Sequence, residues 1–573
     1  MKLSHLIISI QGSIRELNPW QNIQKLHTNV IADILAGIMV AIIALPLALA
    51  FGEMSQLGPE AGIWSAIVGG VIGGLFGGCM VGVSGPTAPM ASQIAAFMGF
   101  FVIGNSNDPD LVAAFSIIFL SGLILVVISF LKVSRFIHYI PYSVIAGFMC
   151  GIGVIIIITQ INSFVGLESM SNIPEIFKNL EYTFQNIQIE ALYVSIPSLL
   201  ILLMWNFFQS RFKFLENVPS TLIALIVGTG IANLMNFNIP YIGDQMNGSE
   251  RSQLFSLYLP DLKRFGEFIS PAFALAGLAI LDSLLSCKVA DNMTGIRHSS
   301  DRETFGQGMA NMAAGLFGGI STATATTQTI GNITFGARTP LATIVKGITF
   351  LAILSGLGYL VESIPNACLA AILFKLGIDI LDYRILPILK KIPRNDLFIF
   401  MIVLFVTIYE DIMIAVAVGV VFSLLSSIKE FKFMLGSSYQ HSVIPFSNSE
   451  FIQNKQDVEE IEKLPAFVLK MNGPLFFGSI ESLLKTYSFA PKHKILIIDM
   501  SAINMIDLSG AFALEDLVHR TTKKDVKVFI YNANSKIKKI LFKVNFFDQI
   551  GEGLYKDSIK SVNSIVLENL KKQ

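Results

Sequence analysis

The chain has 573 residues, of which 53% are hydrophobic and 14% are charged, and its formal net charge is zero. This excess of apolar residues is typical of membrane proteins and excludes an ordinary soluble globular protein. The balanced charge gives no bulk attraction to nucleic acid, so we expect no nucleic-acid partner.

Residues 1–29 contain a short apolar patch without a cleavage signal, so we interpret them as a cytoplasmic N-terminal segment. Residues 30–430 contain successive apolar stretches, which at about 20 residues per span predict about fourteen transmembrane helices. The predicted spans lie near 30–53, 60–80, 86–104, 111–131, 138–160, 191–209, 218–237, 268–290, 306–319, 324–336, 341–361, 364–381, 396–410 and 411–428.

A five-residue sequence occurs twice among these spans. Gly-Leu-Phe-Gly-Gly at 74–78 returns at 315–319, and small polar residues interrupt the apolar pattern after each copy, at 84–89 and 321–326. A seven-plus-seven division places the copies in the equivalent second and ninth spans of two repeats, near 30–237 and 268–430. Paired interruptions are typical of secondary transporters built from inverted repeats. Tight helix packing through small residues is the alternative.

Charged loop residues predict the orientation of the spans. Most loops after even-numbered spans are basic, whereas the loop at 168–181 follows an odd-numbered span and is acidic. Because basic loops mark the cytoplasmic side, both termini are predicted to be cytoplasmic. The basic positions are Lys132, Arg135, Arg211, Lys213, Lys288, Arg297, Arg302, Arg338, Arg384, Lys390, Lys391 and Arg394. The exceptions, in a longer external loop, are Arg251, Lys263 and Arg264.

The two interruptions predict an anion site. A helix that begins inside the membrane presents free N–H groups and a positive dipole end. Pro86 fits a first helical turn, where no N–H is needed, and Thr87 and Ala88 follow it with their amides. The equivalent residues of the second interruption are Thr324, Ala325 and Thr326. Two such ends suit a small oxyanion such as bicarbonate or sulfate, and a plain helix crossover is the alternative.

A carboxylate in the eighth span predicts a cation site. Asp282 lies in an apolar run, and Ser286 follows one helical turn later on the same face. Hard oxygen ligands suit sodium, and a desolvated carboxylate suits a proton. An interhelical hydrogen bond without a transport role is the alternative. Glu53, near the end of the first span, is a second candidate acid, for which an interfacial and solvated position is favoured.

A small α/β domain is predicted after the spans. Three strand patterns alternate with three helical patterns, at 466–471, 479–487, 494–499, 509–522, 526–531 and 535–544. This alternation indicates a soluble domain of about 110 residues. We place it at 464–573, after a polar linker at 431–463.

Several motifs resemble the sulfate permease (SulP) family of anion transporters. They lie at 46–52, 85–90, 282–286, 289–295, 306–308, 317–319 and 336–341. The C-terminal domain resembles that family's STAS domain at 499–501 and 506–510. Within the family, the motifs around residues 86–90 and 282–285 are most similar to the sodium-dependent bicarbonate transporters of cyanobacteria.

The resemblance implies a polytopic α-helical membrane protein with a 7+7 inverted repeat, divided into core and gate domains, that forms homodimers and moves its core like an elevator. It also implies a division of roles between two groups of residues. Sodium would be held by Asp282, Ser286 and Thr326, and the anion by Thr87, Ala88, Thr324, Ala325 and Thr326.

Two further positions follow from the resemblance. Many family members carry an arginine where this chain has Gln328, so a positive charge is missing there and bicarbonate is mildly favoured over sulfate. In related domains of regulatory proteins the serine equivalent to Ser509 can be phosphorylated, and a phosphate would be stabilised at this helix start. A plain N-cap role for Ser509 is the favoured alternative.

The sequence therefore predicts a secondary active transporter of the bacterial inner membrane that takes up bicarbonate with sodium. The alternatives are a proton-coupled sulfate or dicarboxylate transporter, an anion channel, and a membrane-anchored signalling protein that acts through its STAS domain. The four cysteines lack metal-ligand spacing, and no nucleophile–base pair stands out in the spans. We therefore expect no enzyme and no cofactor besides sodium as coupling ion, and a cytoplasmic regulator as partner of the STAS domain.

Overall fold

The computed structural model describes residues 18–99, 101, 110–134, 140–170, 173–212, 218–246, 257–356, 362–381, 386–409, 412–428, 441–449, 466–488, 491, 493–522, 526–544, 546–547 and 555–556. Most of the predicted N-terminal segment and linker, the end of the STAS domain, and Arg135, Lys213, Arg251 and Arg384 lie outside these residues. The chain forms two compact units. The first unit comprises Met1–Ile137, Cys150–Leu381 and Thr407–Met413, and the second comprises His138–Met149, Asp382–Val406 and Ile414–Gln573.

The first unit is helical. Its helices are Trp20–Ile23, Val30–Met54, Pro59–Val68, Gly74–Phe76, Ala88–Met98, Leu111–Phe130, Ile161–Phe164, Ile173–Lys178, Leu180–Gln185, Ile189–Arg211, Ser220–Leu234, Ile242–Met246, Phe265–Thr294, Ser300–Phe317, Thr326–Thr334, Leu341–Gly356 and Asn366–Ile380, with a π-helical turn at Gly69–Gly73. The helices Tyr142–Thr159, Arg394–Tyr409 and Ile412–Ser426 contain residues of both units.

Five of the described helices are long and apolar enough to cross a membrane. They are Val30–Met54, Pro59–Phe76, Leu111–Phe130, Tyr142–Thr159 and Phe265–Asp291. Large apolar side chains such as Ile31 and Leu234 are 78% and 83% exposed, as expected where a helix faces lipid. Several other predicted spans correspond to shorter helices, so the number of fourteen stays a prediction.

The structure confirms both interruptions. Ser84–Pro86 forms strand β1 and Thr322–Thr324 forms strand β2, and the two strands pair in antiparallel register with Gly85 opposite Ala323. Each strand leads directly into a short helix, the first half-helix (Ala88–Met98) and the second half-helix (Thr326–Thr334). These helices of 11 and 9 residues span about half of a hydrocarbon core of about 30 Å. The prediction that Pro86 opens the first of them is wrong, because Pro86 belongs to β1 and Pro89 lies in the first turn.

Both copies of the repeated sequence end a helix just before one of these strands. Gly77 follows the helix Gly74–Phe76 in extended conformation, and Gly318 caps Ser300–Phe317 with a φ of +74°. The last glycine of each copy packs closely against backbone from the other half of the repeat: Gly78 against the start of the helix Ser300–Phe317, and Gly319 against the helix Pro59–Val68. A β-carbon on Gly78 would lie 2.2 Å from the carbonyl oxygen of Ser299, and one on Gly319 would lie 2.8 Å from the amide of Ser65. The glycines of the repeated sequence therefore have two roles: they end the helix before each strand, and they allow close contact between backbones.

The second unit contains the C-terminal domain, whose five-stranded sheet has the order β3-β4-β5-β6-β7. The strands are Ser442–Pro445, Ala466–Asn472, Ile495–Ala502, Lys527–Tyr531 and Tyr555–Lys556, and β3 is antiparallel to β4 whereas the others are parallel. The helices Ile480–Ser488, Leu508–Thr522 and Ser535–Lys543 follow β4, β5 and β6, as predicted. Residues 442–445, predicted as linker, instead form the edge strand β3, because β4 offers its free edge to them.

Candidate functional site

One turn of the helix Phe265–Thr294, the long helix, contacts the starts of both half-helices. The hydroxyl of Thr87, which precedes the first half-helix, donates to Oδ2 of Asp282 at 2.7 Å. The hydroxyls of Ser286 and Thr326, the first residue of the second half-helix, lie 2.6 Å apart. The predicted cation residues and the predicted anion residues therefore form a single cluster.

This arrangement determines how far apart the two half-helix starts lie. Asp282 and Ser286 are four residues apart on one helix, so their positions differ by about one helical turn of 5.4 Å. The antiparallel pairing of β1 and β2 makes the half-helices run in opposite directions from neighbouring points. The positive ends of both half-helices therefore lie next to neighbouring turns of the same long helix.

The amides of Thr324 and Ala325 are not free, contrary to the prediction. Thr324 donates its N–H to Oγ of Ser283 at 3.0 Å, and Ala325 donates its N–H to the carbonyl of Val83 at 2.9 Å. The second half-helix begins at Thr326, two residues later than the predicted span, with Ala325 as its N-cap. The amides that lack an intrahelical partner at this end therefore belong to residues 326–328, because the first residues of a helix have no preceding carbonyl to bind. At the first half-helix they belong to Ala88 and Met90, since Pro89 has no N–H.

Exposure distinguishes the two sides of this cluster. Thr87 and Ala88 are buried, whereas Asp282, Ala325 and Thr326 are half-buried and Thr327 is exposed. A carboxylate inside a helix that is otherwise apolar is tolerated where it faces protein or a water-lined cavity and not lipid. The exposed members of the cluster therefore lie on the side of the second half-helix.

A second polar cluster supports the two strands, and the sequence reasoning missed it. Glu303, Gln307 and Asn311 lie at four-residue spacing on the helix Ser300–Phe317 and form a buried polar stripe. Oε2 of Glu303 accepts the amides of Gly78 and Cys79 at 2.8 and 2.9 Å. Oε1 of Glu303 accepts from Gln307 at 2.9 Å and from the hydroxyl of Thr324.

The remaining members of the polar stripe hold the strands directly. Nε2 of Gln307 also lies 2.6 Å from the hydroxyl of Ser84 in β1 and 2.9 Å from the hydroxyl of Thr324 in β2, so its two hydrogens are shared among these oxygens and Glu303. Asn311 accepts the amide of Thr322 and donates to its carbonyl. The polar stripe thus provides hydrogen-bond partners for side chains and backbone of the two strands, which are completely buried. The spacing of 303, 307 and 311 on one helix face was the signal that could have revealed it.

The two suggested modulators lie in different surroundings. Glu53 is half-buried in the last turn of Val30–Met54, so its role as a modulator stays a prediction. Gln328, in the first turn of the second half-helix, is 3% exposed, and its Oε1 has no hydrogen-bond partner in the structure. No group of three or more potential metal ligands of the His, Cys, Asp and Glu type occurs among the described residues.

The start of the STAS helix Leu508–Thr522 contacts the membrane-helix residues of the second unit. Oγ of Ser509 accepts the amide of Tyr142 at 2.9 Å, and Oδ2 of Asp396 accepts the amide of Leu508 at 3.3 Å. The N-cap role predicted for Ser509 belongs instead to Asp507, whose Oδ1 accepts the amide of Gly510 at 2.6 Å. Burial, and then the neighbouring Asp396 carboxylate, raise the pKa of Asp507 to about 8. Phosphorylation of Ser509 stays a prediction.

Comparison with known proteins identifies relatives along nearly the whole chain. Residues 30–403 match the sulfate permease family, and residues 455–561 match the STAS domain. The bicarbonate transporter BicA of Picosynechococcus sp. is 30% identical over 532 residues, which cover 92% of this chain and 93% of that protein. The bicarbonate transporter BicA of Synechocystis sp. is 30% identical over 559 residues, which cover 95% and 96%.

Solved structures show the same fold. The transmembrane domain of a cyanobacterial bicarbonate transporter BicA superimposes with a TM-score of 0.60 at 32% identity, covering 70% of this chain and 98% of that domain. The structure of SLC26A9 covers 98% of this chain and 94% of its own with a TM-score of 0.63 at 19% identity, which shows likeness of fold alone.

Proposed function

The chain belongs to the sulfate permease family of anion transporters and carries that family's C-terminal STAS domain, and on this basis we propose that it takes up bicarbonate together with sodium. The observation that carries the proposal is the joint contact of Asp282 and Ser286 with Thr87 and Thr326. Because one helical turn contacts both half-helix starts, an ion bound at Asp282 acts directly on the residues that begin the anion site.

Coupling follows from electrostatics. An empty site leaves the Asp282 carboxylate close to the position of the anion, where it repels a negative solute. Sodium bound by the carboxylate and the hydroxyls of Ser286 and Thr326 cancels that charge, so each ion increases the affinity for the other. A change of affinity between outward-facing and inward-facing states then suffices for transport, without covalent chemistry.

Further features of the proposal come from the family. We propose that the core of the membrane domain moves as an elevator in a homodimer, that the protein lies in the bacterial inner membrane with both termini in the cytoplasm, and that a cytoplasmic regulator binds the STAS domain. The relatives named bicarbonate transporters support bicarbonate as the anion. The loss of a charged side chain at Gln328 also supports a singly charged substrate.

Uptake of labelled bicarbonate into proteoliposomes tests the proposal. Uptake should require sodium, and the Asp282→Asn variant should lose sodium dependence and at least about 100-fold of the uptake rate, because a neutral amide no longer balances the cation. Asp261→Asn is a control carboxylate at the entry to the 3-10 turn before the long helix, outside the cluster. Uptake driven by a pH gradient without sodium, or preference for sulfate, would favour the proton-coupled sulfate or dicarboxylate transporter.

Two other outcomes identify the remaining alternatives. Non-saturating passive flux that is independent of sodium would indicate an anion channel. Absence of flux together with intact binding of a cytoplasmic partner by the STAS domain would indicate a signalling protein. Each of these results would refute the proposed sodium–bicarbonate transport.

A further inference from the structure

A buried lysine contacts the backbone of the first interruption. Lys346, on the helix Leu341–Gly356, is 0% exposed, and its Nζ donates to the carbonyl oxygen of Ser84 in β1 at 2.9 Å. The ammonium also lies 5.6 Å from the centre of the Phe350 ring. These contacts place a cation against the strand that leads into the first half-helix.

Lys346 makes no direct ion pair with a described carboxylate; Glu303 of the polar stripe is connected to Ser84 through Gln307. The contacts of Lys346 within the described part of the chain are a carbonyl and an aromatic ring, and no carboxylate pairs with it. A buried charge is costly unless it is paired, and ionisable residues inside a membrane domain usually have a functional role. An anion bound nearby would provide the missing negative charge.

The position of Lys346 relative to the anion site follows from Gly85. A β-carbon on Gly85 would lie 2.7 Å from Nζ of Lys346 and 4.0 Å from Oε1 of Gln328. Gln328 belongs to the first turn of the second half-helix, and Gly85 lies in the strand before the first one. The Lys346 ammonium and the buried, unpartnered Oε1 of Gln328 therefore both lie beside Gly85, next to the first turn of the second half-helix.

We propose that the Lys346 ammonium provides the fixed positive charge of the anion site and thereby determines its affinity for anions. This proposal rests on the proposed anion transport. In this proposal the positive charge that Gln328 does not provide comes from Lys346, on the helix Leu341–Gly356. The competing explanation is that Lys346 only anchors β1 through its hydrogen bond to Ser84.

The two explanations predict different changes in the affinities for anion and for sodium when the charge of Lys346 is removed. For a unit charge roughly 8 Å from the anion and an effective dielectric constant of about 20, Coulomb's law gives about a 30-fold change in affinity for a singly charged anion. Removal of the same charge relieves repulsion of sodium, so affinity for sodium measured without anion should stay constant or increase. Damage to the fold would decrease both affinities.

The experiment compares variants that separate the charge from the hydrogen bond. Lys346→Gln keeps a donor for the Ser84 carbonyl but removes the charge, and Lys346→Arg keeps the charge. Gln328→Arg in the Lys346→Gln background restores a cation beside Gly85 from the other helix. Lys375→Met is a matched control, because this lysine pairs with Asp379 outside the site. Each full-length protein is assayed for bicarbonate and sulfate binding by calorimetry, for sodium binding without anion, and for uptake in proteoliposomes.

Lys346→Gln should raise the KM and Kd for bicarbonate about 30-fold without weakening sodium binding. Lys346→Arg should stay within about threefold of wild type, and the double variant should recover at least about tenfold of the loss. An unchanged anion affinity in Lys346→Gln would overturn the proposal, as would a joint loss of anion and sodium binding that Gln328→Arg leaves unrepaired. Wild-type protein that binds an anion but does not transport it would refute the transport alone, whereas wild-type protein that binds neither anion would refute both.

Discussion

The polar stripe makes a strong prediction about Glu303. Its carboxylate accepts four hydrogen bonds, two from the amides of Gly78 and Cys79 and two from Gln307 and Thr324. Glu303→Gln keeps the size of the side chain but turns one of the two acceptor oxygens into a donor. Because each oxygen of Glu303 accepts from two donors, either orientation of the new amide places its NH2 group against two donors, and both hydrogen bonds are lost.

The cost follows from these contacts. A hydrogen bond to a charged group contributes about 1.5–3 kcal/mol, so the loss of two such bonds should destabilise the folded protein by about 3–6 kcal/mol. The loss is local, because the affected donors belong to the end of the repeated sequence at Gly78 and to β2. The second half-helix begins two residues after β2, so we also expect a weaker anion site.

Thermal unfolding of the purified, detergent-solubilised protein measures this effect. Trp64 stacks on Phe317, with their ring centres 5.5 Å apart, next to the second copy of the repeated sequence, so its fluorescence reports on this region. Glu303→Gln should lower the Tm by several degrees and reduce bicarbonate uptake. Glu267→Gln is the control, since that side chain is 59% exposed and an exposed ion pair contributes about 1 kcal/mol or less.

The outcome that refutes the reasoning is specific. If Glu303→Gln unfolds at the same temperature as Glu267→Gln and transports as wild type, the polar stripe does not hold the strands. A lower Tm with unchanged anion affinity would refute the link between the polar stripe and the anion site while keeping its structural role.

Two further predictions concern the cation cluster and the STAS contact. Ser286→Ala removes the hydroxyl that contacts Thr326, and the KM for sodium should rise about tenfold, whereas Ser355→Ala on an exposed helix face should leave it unchanged. The folded pKa of Asp507, raised to about 8, predicts that its contribution to stability is complete below the ordinary value near 3.8 and is lost as the pH rises through 8. The Tm should therefore fall as the pH rises from about 4 to about 8 and level off above that, and Asp396→Asn should reduce this fall; an equally steep fall in that variant would contradict the assigned pair.

Much of the fold could be predicted because local patterns carry it. Apolar stretches indicated the membrane helices, and the alternation of strand and helix patterns indicated the elements of the C-terminal domain from β4 to the helix Ser535–Lys543, each within a few residues of its observed bounds. The interruptions at 84–89 and 321–326 were predictable because glycine, proline and hydroxyl residues disfavour a continuous helix in lipid. Strand β3 was missed because four residues in a polar stretch carry no periodicity of their own and acquire it from pairing with β4.

The site was predicted in part for the same reason. Asp282 and Ser286 could be identified because a carboxylate in an apolar span is rare, and their spacing places them on one helix face. The free amides were assigned two residues too early, because the start of the second half-helix depends on the bonds of Thr324 and Ala325 to Ser283 and Val83. Such bonds join residues that are distant in sequence.

The sequence by itself determined the membrane class, the two interruptions, the soluble domain and the candidate acid, since each depends on the composition or periodicity of neighbouring residues. Only the tertiary structure decided that one turn of the long helix contacts both half-helices, that Glu303 supports both strands, and that Lys346 lies behind Gly85. The physical reason is that charges and hydrogen bonds act over a few ångströms in space. Residues 85, 282, 303 and 346 come within that range only when the helices pack.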